Sequence, residues 1–174
     1  MIQSFPPIAD AQATRLILGS MPGAASLAAG QYYAHPQNAF WRIMGELLGF
    51  AADAPYVERA QVLRRGGIAV WDVLQCCERP GSLDSAILRT SELVNDFLPF
   101  FREHRDVTHV FFNGIAAEAS FKRHCAVMFG TGHLQFQRLP STSPAHASLP
   151  FETKLAVWRA ALKLDTADNL TPSN

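Results

Sequence analysis

Charge of one sign is what this chain most plainly lacks: fifteen Lys and Arg balance fifteen Asp and Glu, for a formal net charge of +0. A protein that grips nucleic acid mainly through a broad basic face is therefore not expected. An enzyme that holds a few phosphates with hydroxyls, backbone N–H groups and helix N-termini remains compatible with that balance. Cysteine is scarce as well. Cys76, Cys77 and Cys125 are odd in number and show no paired spacing, so a disulfide framework, a Cys₄ metal site and an iron–sulfur site are unsupported. No apolar run approaches the roughly 20 residues that cross a bilayer. The N-terminal stretch, with Pro6, Pro7 and Asp10, lacks the charged-then-apolar order of a secretory signal. These absences predict a protein of the reducing cytoplasm with no membrane contact.

Several catalytic signatures are missing too. Gly19-Ser20-Met21-Pro22-Gly23 has neither the Lys-Ser/Thr of a phosphate loop nor the glycine spacing of a dinucleotide fold. Gly-x-Ser-x-Gly is absent, which removes the usual serine-hydrolase elbow. His35, His104, His109, His124, His133 and His146 show no His-x-x-x-His or carboxylate clustering, so no metal is expected.

What is present is a chain of 174 residues, 48% hydrophobic, which suits one domain over residues 1–164 with a polar tail over 165–174. Arg15 to Leu18 is a short apolar run ended by Gly19, and reads as a buried strand. A loop of about 18 residues follows, a length that itself suggests function. Phe40, Ile43, Met44, Leu47 and Leu48 recur at helical spacing up to Gly49, and Tyr56, Ala60 and Leu63 mark a second helix ending at Gly66-Gly67. Ile68 to Trp71 reads as a strand with Asp72 at its end, followed by a loop from Gln75 to Leu83. Asp96 is placed to cap a helix through Phe97, Phe100 and Phe101. Val107 to Phe112 and Leu134 to Leu139 are two more strands, and Phe151, Leu155, Trp158 and Leu162 mark a last helix. Strands alternating with helices predict an α/β fold, a three-layer α/β/α sandwich around a central, mainly parallel four-stranded sheet.

Two loops would then leave the carboxyl edge of that sheet, where open α/β folds bind ligands. One runs from Gly19 through Tyr32-Tyr33-Ala34-His35-Pro36-Gln37-Asn38-Ala39-Phe40-Trp41; the other is Ser141-Thr142-Ser143-Pro144-Ala145-His146. Each element also has a plain structural reading. The glycines suit a turn, the aromatics a core, Asn38 a helix cap, Asp72 a turn or cap, Asn113-Gly114 a turn, and the Ser/Pro run an ordinary loop.

The Tyr33-to-Trp41 stretch resembles the Phe-Ala-His-Pro-Ala-Asn-Arg-Phe-Trp segment of mismatch-specific uracil-DNA glycosylases. Gly-Ser-x-Pro-Gly, Tyr-Tyr, Pro-x-Asn-x-Phe-Trp and Trp71-Asp72-Val73 together resemble the hypoxanthine-DNA glycosylase branch of the uracil-DNA glycosylase superfamily. The resemblance implies that Tyr33 stacks on an extruded base and that Asn38 is the essential residue, holding a water in line with C1′. Ser20 and Met21 stand where the mismatch-specific enzymes keep a water-positioning Asn, so Ser20 is a second catalytic candidate. Asp72 stands where uracil enzymes have an Asn that reads the base edge. A carboxylate there accepts hypoxanthine N1–H and opposes uracil O4. Gly19 and Asn113 complete the expected base-binding set. Ser141 to His146 is similar to the His-Pro-Ser-Pro-Leu-Ser loop that pinches the DNA backbone, which makes Pro22, Gly23, Ser141, Ser143, Pro144, Ala145 and His146 the expected DNA contacts.

The implied activity is cofactor-free hydrolysis of the N-glycosidic bond of a deaminated base in DNA, most simply hypoxanthine, by a monomer that flips the base and leaves the strand uncut. Excision of uracil, a non-catalytic nucleic-acid-binding module, and a small-molecule hydrolase using Cys76 or a serine are the alternatives.

Overall fold

The computed structural model describes residues 1–130 and 132–164, so the tail expected over 165–174 lies outside the described residues. The elements run β1 Ile2–Gln3, β2 Arg15–Gly19, α1 Ala24–Ala29, α2 Phe40–Leu48, α3 Tyr56–Arg65, β3 Ile68–Asp72, β4 Leu74–Cys77, β5 Leu93–Val94, α4 Phe97–Glu103, β6 His109–Asn113, α5 Ile115–His124, β7 Gln135–Leu139 and α6 Phe151–Leu162. Strands β3, β2, β6 and β7 lie side by side in that order, all parallel.

The continuous apolar run Leu16-Ile17-Leu18 is fully buried, as expected for a parallel strand covered on both faces. Its period of two divides the core. Ile17, Val70 and Phe111 face Phe40, Ile43, Met44, Leu63, Leu155 and Trp158, which come from α2, α3 and α6. Leu16, Leu18, Ala69, Val110 and Phe112 face Phe97, Phe100, Ala117 and Phe121, which come from α4 and α5. Helices therefore cover both faces, and the expected three layers are present. Asp96 caps α4 as expected, its Oδ1 accepting from the Leu98 N–H at 3.3 Å.

Two expectations need correction. The start of the loop expected over Gln75 to Leu83 belongs instead to strand Leu74–Cys77, which pairs antiparallel with both β1 and β5 in a small second sheet. The long loop after β2 contains α1, whose Ser26 Oγ accepts from the Ala34 N–H at 3.1 Å and so ties the helix to the following turn.

All four parallel strands end at one edge. Register places Gly19 beside Asp72 and Asn113 beside Leu139. The two loops singled out in the sequence leave this edge and meet across it, where the Ala39 N–H donates to the Thr142 carbonyl at 2.9 Å.

Candidate active site

Asp72 is buried at the end of β3, and its Oδ2 accepts from Ser4 Oγ at 2.6 Å. Asn95 Nδ2 holds the Asp72 backbone carbonyl from behind at 2.9 Å. Burial pushes the Asp72 carboxyl from an ordinary 3.8 up to about 7; the Ser4 hydrogen bond opposes that rise and the nearby Asp84 carboxylate adds to it. Gly19 makes this crowding possible. A Cβ there would sit 2.5 Å from Asp72 Oδ1 and 3.1 Å from the Tyr33 hydroxyl, so no larger residue fits without displacing both.

Tyr33 adopts φ 54, a left-handed conformation uncommon outside glycine, and such outliers collect at functional sites. Its ring stacks on Phe40 with centroids 4.1 Å apart, and its buried hydroxyl has no hydrogen-bond partner. Tyr32, Phe40 and Trp41 are core: the Tyr32 hydroxyl donates to the Phe5 and Pro6 carbonyls, and Trp41 Nε1 donates to the Tyr32 carbonyl. Asn38 lines the cleft from the turn that leads into α2, one residue before the N-cap Ala39, and is not itself the helix cap the sequence suggested. Its Oδ1 accepts from the Phe40 N–H at 2.9 Å, which fixes the amide plane at the start of α2.

Ser20 does not stand alone. Its Oγ donates to Asp84 Oδ2 at 2.7 Å, and Arg79 Nη1 lies 3.8 Å from the other carboxylate oxygen. Arg79 is buried and donates through Nη2 to the Pro22 carbonyl at 2.6 Å and through Nε to the Gly81 carbonyl at 3.1 Å. Burial raises the Asp84 carboxyl pKa, against the pull of Ser20, Arg79 and His146. Sequence reasoning missed both residues, which sit in a segment with no hydrophobic period and join the site only through the turn after β2. Met21, the neighbour of Ser20, is buried with Leu74 and Cys77 and brings no polar group to the site.

On the opposite wall, Asn113 clamps the second loop. Its Nδ2 donates to Thr142 Oγ1 and its Oδ1 accepts from the Thr142 N–H, both at 2.9 Å, so both ends of the amide are engaged with the loop. Gly114 permits the close approach, since a Cβ there would lie 2.8 Å from Ser141 Cβ. Helix α6 fastens both ends of the loop: Trp158 Nε1 donates to the Pro140 carbonyl at 2.9 Å and the buried Lys154 Nζ to the His146 carbonyl at 2.7 Å. Sequence reasoning missed Lys154 too, although its i,i+4 spacing to Trp158 was there to read.

These walls enclose a cleft of about 460 Å³, within the range of roughly 300–1,000 Å³ usual for small-ligand sites. Gly19, Ser20, Tyr33, Asn38, Asp72 and Asn113 line it, and Pro22, Gly23, Ser141, Ser143, Pro144 and Ala145 form its rim. An adjoining cavity of about 420 Å³ shares Ser20, Asp84, Asn113, Ser141 and Ser143 with it, and His146 faces that second space. The cleft thus joins an aromatic face, a buried carboxylate and an oriented amide, a set able to hold a flat heterocycle with ring N–H groups and a sugar beside it.

Comparison with known proteins agrees with this geometry. Residues 6–163 match the family described as the Uracil DNA glycosylase superfamily. A hypoxanthine DNA glycosylase of Methanosarcina acetivorans is 31% identical over 162 residues, covering 92% of this chain and 98% of that protein. A hypoxanthine DNA glycosylase of Methanosarcina barkeri is 38% identical over 113 residues, 64% of this chain and 70% of that protein. The solution NMR structure of a candidate uracil DNA glycosylase from Methanosarcina acetivorans superposes with a TM-score of 0.74 at 31% identity, covering 91% of this chain and 96% of that one. The match spans nearly the whole described chain and includes every wall of the cleft, and the chain accordingly belongs to the uracil DNA glycosylase superfamily as a DNA N-glycosylase.

Proposed function

We propose that this glycosylase removes hypoxanthine from deoxyinosine in DNA. The observation that carries the reading is the Asp72 carboxylate, buried in the wall of the cleft with Tyr33 nearby across Gly19. In its ionised form, which predominates above about pH 7, the carboxylate accepts hypoxanthine N1–H and offers nothing to uracil O4 except like partial charge. The names of the two curated relatives point the same way.

In this reading the extruded base stacks on Tyr33, an interaction worth about 1–3 kcal/mol that offsets part of the unstacking cost. Asn38, its plane set by the Phe40 N–H, holds the attacking water toward C1′. The sugar passes through an oxocarbenium-like state, so catalysis is mainly positioning and charge stabilisation. Pro22, Gly23, Ser141, Ser143, Pro144, Ala145 and His146 contact the backbone of the DNA, and Asn113 serves the site by holding Thr142. No cofactor takes part. The product is an abasic site in an uncut strand: none of the chain's three lysines lines the cleft, and Lys154 is engaged with the His146 carbonyl. Residues 1–164 act as one monomeric glycosylase unit, and the three unpaired thiols suit the reducing cytoplasm.

Single-turnover assays on matched duplexes carrying one deoxyinosine or one uracil test this. Wild type should release hypoxanthine much faster than uracil, and folded Asn38→Ala should lose at least about 100-fold, the scale of a lost positioning group. Release of uracil at an equal rate would turn the assignment to a uracil-directed enzyme of the same superfamily.

A further inference from the structure

The cleft holds a second carboxylate that the roles above leave unused. Asp84 comes from the segment between β4 and β5, and its side chain keeps 39% of its surface open. It lines both the base cleft and the adjoining cavity. Two contacts aim it. Ser20 Oγ holds Oδ2 at 2.7 Å, and the buried Arg79 presents Nη1, which has no hydrogen-bond partner, 3.8 Å from Oδ1. Arg79 is itself locked by the Pro22 and Gly81 carbonyls, so the support behind Asp84 is rigid.

An acidic side chain at the mouth of a site for polyanionic DNA weakens binding. Its chemistry is useful only where positive charge develops, and in glycosidic hydrolysis that place is the sugar. We propose that Asp84 is a catalytic residue, the carboxylate that faces the oxocarbenium-like sugar and takes the proton of the attacking water, and that Ser20 is the positioning residue that aims it. This rests on the glycosylase reading. In the step, the C1′–N9 bond breaks and its electron pair leaves with the base. The water oxygen forms the new bond to C1′, one water proton passes to Asp84, and solvent protonates the departing base. Ser20 then contributes through the carboxylate it orients, with no covalent chemistry of its own.

The test combines single-turnover rates on deoxyinosine DNA with equilibrium binding to the same duplex carrying an uncleavable 2′-fluoro deoxyinosine. Asp84→Asn keeps an acceptor for Ser20 and removes the charge. It should lose about 100-fold or more in rate, the scale of a positioned acid or base, while binding DNA as tightly as wild type or more tightly. Asp84→Ala should be equally slow and should recover part of its rate on addition of formate. Ser20→Ala, which leaves the carboxylate but frees it, should lose about tenfold, less than either Asp84 variant. A latch that merely fastens the segment to the β2 turn would show no formate rescue and would lose binding together with rate, and either result overturns the proposal. So does an Asp84→Asn rate within about threefold of wild type, less than 1 kcal/mol of the barrier. Wild-type protein that releases no base from either duplex would bring down the glycosylase reading, and this role with it.

Discussion

Burial works against the charge of Asp72, and that has a consequence for stability as well as for specificity. In the unfolded chain its carboxyl titrates near an ordinary 3.8, and in the folded protein near about 7. Between those values the native state binds the extra proton, so folding stability falls as pH rises from about 4 to about 7 and is level above. Asp72→Asn removes the titration while its amide oxygen still accepts from Ser4. The variant should therefore melt at a higher temperature than wild type at pH about 8 and at nearly the same temperature at pH about 4, by thermal unfolding at the two pH values. A variant less stable than wild type at pH about 8 would show that the charge is compensated by contacts beyond Ser4. The same exchange adds an N–H donor where the proposed function places the base edge, so uracil excision should rise relative to hypoxanthine excision. Asp72 was legible in the sequence because it ends an apolar strand. Its partner Ser4 was not, since the two lie far apart in the chain and meet only where the N-terminal segment crosses the site.

Among elements, helix α6 acts on the site at a distance. It contributes Leu155, Trp158 and Leu162 to the core, as their spacing indicated, and from the same turn it sends Trp158 Nε1 and Lys154 Nζ to the two ends of the 140–146 loop. Replacing Lys154 with Met keeps the apolar stem in its burial and releases the His146 carbonyl. The loss of one hydrogen bond from a charged donor is worth about 1.5–3 kcal/mol. Affinity for duplex DNA should fall by about fivefold or more, with the single-turnover rate at saturation within about threefold of wild type. Unchanged affinity would mean that Trp158 alone holds the loop. The four parallel strands and their edge loops could be read from the chain because strands buried on both faces are uninterrupted apolar runs and the turns after them are rich in Gly, Asn, Ser and Pro. The small antiparallel sheet could not. Strands β1 and β5 have two residues each, too few to show a period, and what defines β4 is pairing with partners remote in sequence. Helix α1 was hidden for a similar reason, being six residues long with one buried side chain. Arg79 and Asp84 belong to the segment that follows β4, so the local pattern gave no cue to them.

At the scale of the whole molecule, a formal charge of +0 has to coexist with a polyanionic substrate. Few cations among the described residues stand near the mouth. Arg79 is buried against carbonyls, and Arg123 is paired with Glu92 at 2.6 Å, which leaves Arg89 on the wall of the adjoining cavity. Grip on the phosphates then falls to the hydroxyls and N–H groups of the two edge loops, which release few condensed counterions. Each phosphate neutralised by a cationic side chain contributes about −0.9 to the slope of log affinity against log salt. With about one such contact, the slope for the slow Asn38→Ala variant on deoxyinosine duplex should be near −1 between about 50 and 200 mM salt. A slope steeper than about −5 would require a basic face that neither the charge balance nor the cleft supplies. A shallow slope has a functional corollary: non-specific DNA holds the protein weakly, so discrimination would rest on the flipped base and the Tyr33–Asp72 pocket proposed to receive it. Specificity should then stay constant as salt rises, with deoxyinosine and undamaged duplexes losing affinity in parallel.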